Sequence, residues 1–96
     1  MSLWEKVSTL DEAEKYAYRV ILGERENILF EYSYLKNHFY DVLQGIINIV
    51  VINCDSKPDR ILKEIEDSNG LVIFDNIGKL SDKDILKRVK DKILVC

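Results

Sequence analysis

At 96 residues, the chain has room for one hydrophobic core and reads as one domain. Apolar residues make up 47% and charged residues 32%, too apolar a mixture for a disordered chain and too finely dispersed for a membrane protein. The net charge is −3, with five Lys/Arg against eight Asp/Glu in residues 1–48 and nine against nine in residues 49–96, so neither half is a basic surface for nucleic-acid phosphates.

The longest apolar stretch, Ile46 to Ile52, is broken by Asn48 and falls short of the roughly 20 residues that cross a bilayer. Trp4, Glu5 and Lys6 lack the apolar run of a secretion signal. The expectation is a cytoplasmic protein with no membrane partner. Cys54 and Cys96 are too far apart for a zinc knuckle or redox motif and read as reduced, core-type thiols, with a disulfide between strand ends left open. Abundant Ile, Lys and Glu beside a single Gln44 give a thermophile-like composition, which an AT-rich genome also produces.

In chain order, Thr9-Leu10-Asp11-Glu12 is a capping box that starts a helix. Leu10, Ala13, Ala17, Val20 and Ile21 lie on one face of it, and Gly23 stops it. Asn27 to Glu31 reads as a first buried strand. Ser33 can cap a second helix with the apolar stripe Leu35, Phe39, Val42, Leu43 and Ile46, ended by Gly45. Asn48 to Asn53 holds the β-branched run Ile49-Val50-Val51-Ile52, the pattern of a strand covered on both faces and the best candidate for a central one. Ser56-Lys57-Pro58-Asp59 starts a third helix, burying Ile61, Leu62 and Ile65 and ending at Asn69-Gly70. Leu71 to Phe74 is the third strand, finishing in Asp75-Asn76. Ser81-Asp82-Lys83-Asp84 is a capping-box variant for a last helix burying Ile85, Leu86 and Val89, and Ile93 to Cys96 forms a final strand. The order, a helix and then βαβαβαβ, predicts a small three-layer α/β/α sandwich, Rossmann-like, with a four-stranded, mainly parallel sheet.

In such a sheet, ligands sit outside the carboxyl ends of the strands. That position singles out Glu31, Cys54, Asp55, Ser56, Lys57, Asp75, Asn76, Gly78 and Lys79. Of these, Asp55, Ser56, Lys57, Asp75, Asn76 and Lys79 are the candidate ligand-binding residues. Convergent carboxylates hold magnesium, and lysines beside helix starts hold phosphate. The same residues also serve ordinary turns and caps. His38, the only histidine, has no nucleophile or ligand partner near it in sequence, and no catalytic residue, metal ligand or cofactor is assigned.

Leu71-Val72-Ile73-Phe74-Asp75, four apolar residues and a terminal Asp, resembles the Walker B strand of P-loop NTPases. Together with Ile49 to Asn53 and Ile93 to Val95, it is similar to the strand order of AAA-type ATPase cores over about half of the chain. The resemblance implies magnesium positioning by Asp75. No glycine-rich loop with Lys and Ser/Thr is present, and Asn76 stands where many members of that family carry an acid, so family-type ATP hydrolysis is not expected.

Lys83, Lys87, Arg88, Lys90 and Lys92 make the last helix basic but without aromatics for base stacking, which leaves weak nucleic-acid contact as an outside alternative. Trp4, Tyr16, Tyr18, Tyr32, Tyr34, Phe39 and Tyr40 crowd the first 40 residues, more rings than one small core can bury. Trp4, Tyr16, Tyr18, Tyr34 and Tyr40 are therefore the candidate interface of a homodimer. The leading expectation is a non-catalytic interaction or regulatory module that self-associates. The alternative is magnesium- or phosphate-dependent nucleotide binding at the carboxyl edge of the sheet.

Overall fold

A computed structural model describes residues 4–96. Five parallel strands, β1 (Trp4–Val7), β2 (Asn27–Phe30), β3 (Ile49–Asn53), β4 (Leu71–Asp75) and β5 (Lys92–Val95), form one sheet in the order β1-β2-β5-β4-β3. Helices α1 (Leu10–Ile21), α2 (Ser33–Gln44) and α3 (Pro58–Glu66) make the first three crossovers, and two 3₁₀ segments, Ile77–Lys79 and Lys83–Arg88, make the last.

Period-two alternation along the strands divides the interior into two cores. Leu71 and Ile73 point to one face, where they meet Val7, Ile28, Phe30, Ile93 and Val95 beneath Ala13, Ala17 and Val20 of α1 and Leu35, Phe39 and Leu43 of α2. Val72 and Phe74 point to the other face and pack with Ile52, Ile61 of α3, and Ile77, Leu80 and Ile85 of the 3₁₀ segments. The α/β sandwich expected from the sequence is therefore present.

Five strands replace the expected four. Trp-Glu-Lys-Val at residues 4–7 has no apolar run, because β1 is an edge strand that buries only Val7 completely. The strand expected to be central, β3, is the opposite edge, and the most deeply buried strand is β4, from Leu71 to Phe74. A β-branched run reports a preference for extended backbone, whereas strand order depends on where the crossovers land. The last helix is 3₁₀ rather than α. It buries Ile85 and half-buries Leu86, and a separate 3₁₀ turn at Ile77–Lys79 stands where a loop is expected.

Local signals at the helix ends hold in part. The Glu12 N–H donates to Thr9 Oγ1 at 3.1 Å, while Glu12 Oε1 accepts from the Ser8 N–H, one residue earlier than in an ideal capping box. Tyr32 and Lys57, not Ser33 and Ser56, occupy the N-cap positions of α2 and α3, and neither caps with its side chain. Asp82 rather than Ser81 caps the last 3₁₀ segment, accepting from the Asp84 N–H. Leu10 and Ile46, expected on buried stripes, are exposed, because one begins α1 and the other follows the end of α2.

Candidate functional site

All five strands run the same way, so their carboxyl ends line one side of the molecule. There the chain leaves β2 for α2 on one face and β4 for the 3₁₀ segments on the other, with β5 between them. Asp75 shares the alternation of Leu71 and Ile73 and therefore points toward α2. Lys36 Nζ meets its Oδ1 at 2.9 Å, both side chains about three-quarters buried (24% and 22% exposed). One helical turn on, Tyr40 reaches the same carboxylate. Its hydroxyl oxygen is sealed from solvent without a well-formed hydrogen bond, and burial first, then the charge of Asp75, raises its pKa well above the usual phenol range.

Cys54 lies on the other side of Asp75 and is 2% exposed. Its thiol is pushed up to about 11 by burial and secondarily by Asp75, against a smaller opposing pull from Lys83. This makes it a protonated core thiol and a poor nucleophile. Asn76 adopts the left-handed conformation at φ 63°, the only non-glycine residue with positive φ among those described. Sequence inspection passes over Lys36 and Tyr40 as a site pair. Their i, i+4 spacing beside the stripe Leu35, Phe39 and Leu43 is the signal that places both on the rim of the buried face.

The remaining candidates do not converge on this cluster. Asp55 is exposed, its N–H held by Asn53 Oδ1 at 3.0 Å in a local turn. Lys57 is exposed at the N-cap of α3, Lys79 is exposed at the end of the first 3₁₀ segment, and Ser56 is half-buried in the turn before α3. The exposed Glu31 carboxylate is held below its ordinary range by a hydrogen bond from Ser8 and then by Lys6. Among the described residues, no group of three His, Cys, Asp or Glu side chains could hold a metal ion. His38 Nε2 pairs with Glu14 Oε1 at 2.9 Å. In the basic segment, Lys83 and Lys92 donate to the carbonyls of Ile77 and Val89, and Lys87 pairs with Asp84.

The aromatic residues of the first 40 positions do not form one patch. The Tyr16 ring is buried and its hydroxyl donates to Glu5 Oε2 at 3.0 Å, while Tyr40 is half-buried against Phe39. Tyr18 and Tyr34 are exposed on α1 and α2, with Tyr34 stacked on Tyr32. Val7 and Glu5 face α1, so alternation turns Trp4 to the opposite face of the sheet.

The two sheet edges differ in character. β1 is short and carries Glu5 and Lys6, the kind of charge that discourages further pairing. β3 is Ile-Val-Val-Ile-Asn, with no charge and no proline. The Leu71 N–H donates to the Asn48 carbonyl and the Cys54 N–H to the Asp75 carbonyl, at 3.0 and 2.9 Å, bracketing the β3–β4 ladder. Even-numbered residues therefore turn their backbone groups toward β4, and Ile49 and Val51 turn theirs outward, as Asn53 does its N–H, while the Asn53 carbonyl accepts from the Ser56 N–H at 3.0 Å. The Val51 side chain is 36% exposed. At the amino end of this edge lies an open hollow of about 390 Å³ lined by Gln44, Ile47, Asn48, Ile49 and Asn69.

These features define a small parallel α/β domain with a Lys–Asp–Tyr cluster at its carboxyl edge and one unguarded outer strand. Comparison with known proteins finds no matching family model, no matching curated protein and no matching solved structure.

Proposed function

We propose that this chain is a non-catalytic interaction module that self-associates. The observation that supports the reading is the outer edge of β3, which presents the backbone groups of Ile49 and Val51 among uncharged, β-branched residues and lacks the charges, proline or bulge by which natural edges are protected. At the carboxyl edge the Cys54 thiol is buried and its pKa is raised, and His38 lies on α2 paired with Glu14. Sedimentation velocity across a concentration series tests the proposal. A concentration-dependent dimer is expected, and a monomer throughout the micromolar range overturns it.

A second reading is favoured by one observation, the meeting of the Lys36–Asp75 pair with Tyr40 beside the left-handed Asn76. A small polar ligand that reaches the partly exposed Lys36 and Asp75 and the exposed Asn76 would bind there. A thermal-shift series with magnesium, phosphate and nucleotides is its test. A rise in Tm that Asp75→Ala removes supports it, and no shift with any of them removes it.

A further inference from the structure

We infer that β3 pairs with β3 of a second copy, antiparallel, about a two-fold axis at Val51, extending two five-stranded sheets into one. The inference rests on the self-association proposed above and names its seam. Outward-pointing residues must face one another across an antiparallel ladder, and on this edge those are Ile49, Val51 and Asn53. A two-fold axis at Val51 sets Val51 opposite its own copy, with each N–H reaching the other carbonyl, and sets Ile49 opposite the second copy's Asn53. The Val51 and Asn53 N–H groups of each copy then gain the carbonyls of Val51 and Ile49, and the Ile49 N–H shares the Asn53 carbonyl, which also accepts from the Ser56 N–H at 3.0 Å. A register centred on Val50 would instead oppose inward-pointing groups and satisfy none.

Side-chain chemistry agrees with that register. The two half-exposed Val51 side chains meet on the α2 face of the joined sheet, where β-branched cross-strand pairs are favourable. Asn53 of each copy is brought to the polar hollow formed by Gln44, Asn48 and Asn69 beside Ile49. No like-charged residues oppose one another along the strand. On the other face, the same axis sets α3 antiparallel to its copy. Apart from Asp59, its charges run basic then acidic, from Lys57, Arg60 and Lys63 to Glu64, Glu66 and Asp67, so each basic half lies toward an acidic one. The pairing closes on itself as a dimer and leaves the charged β1 edge free.

The test is cysteine cross-linking in a Cys96→Ser background that keeps the buried Cys54. Across an antiparallel hydrogen-bonded pair the Cα separation is about 5.5 Å, within the range a disulfide spans. Val51→Cys is expected to form a covalent dimer under mild oxidation, and Trp4→Cys, on the far edge, is not. Ile49→Cys and Asn53→Cys proteins should cross-link when mixed and not separately. Val51→Lys, which opposes two charges on the axis, should weaken the dimer at least tenfold with unchanged far-UV circular dichroism. If the native chain is dimeric but Val51→Cys does not cross-link, or Val51→Lys remains equally dimeric, the seam is elsewhere and self-association stands. If the native chain is monomeric, both proposals fall.

Discussion

Around Asp75, single side chains carry opposite costs. Lys36 offsets its charge in a pocket where neither group is fully hydrated, so losing the lysine leaves a partly buried carboxylate alone. Tyr40 contributes a ring to the core and an oxygen with no good partner. Tyr40→Phe is therefore expected to be neutral or stabilising, by up to about 1 kcal/mol in urea unfolding, since it removes a buried polar atom without removing packing. A clear loss of stability would show that the hydroxyl is satisfied in solution. The sequence identifies Asp75 because strand ends are recognisable from the apolar run that precedes them. It does not identify Lys36, 39 residues away, because nothing in local spacing records which helix crosses which strand.

Helix and strand signals are legible to different depths. The Thr9 cap, the stripe Ala13, Ala17 and Val20, and the strand Leu71 to Phe74 are written in adjacent residues and appear where expected. The position of β3 at an edge and the existence of β1 depend on long-range pairing, and apolar content does not encode it. Gly70 shows how such pairing constrains a residue. At φ 148° it lies so close to Asn48 that a Cβ would collide with that residue's backbone, just where the Leu71 N–H bonds to the Asn48 carbonyl and β4 joins β3. Gly70→Ala should cost about 1–3 kcal/mol from this overlap, with the strained backbone adding to it. The matching Gly78→Ala, where a Cβ meets nothing within 4 Å, is the control expected to change stability little in the same urea titration.

Across the surface of the molecule, the paired carboxylates are shifted in one direction. Glu24 is held below its ordinary range by Arg19, Asp91 by Arg25, and Glu31 by Ser8 and then Lys6. Each depressed carboxylate binds protons more weakly in the folded state than in the unfolded one. The stability it contributes is present above the ordinary carboxylate range and is lost as pH falls through the lower folded value. Melting temperature should therefore decline from about pH 4 downward. Arg25→Gln, which releases Asp91, should flatten that decline slightly, and about 1 M salt should blunt the difference because these groups are largely exposed. A decline equally steep in the variant would mean that Arg25 does not hold Asp91 in solution.

The placement of β5 between β2 and β4 has a kinetic corollary. Ile28 finds its partner in Val95, so the two halves of the sheet, β1–β2 and β3–β4, share no ladder until the strand that follows both is delivered between them. On a ribosome, the nascent chain would carry two incomplete ribbons with their inner flanks bare until residues 92–95 leave the exit tunnel. Assembly would finish by insertion, and that interval is when the growing polypeptide has most need of a chaperone.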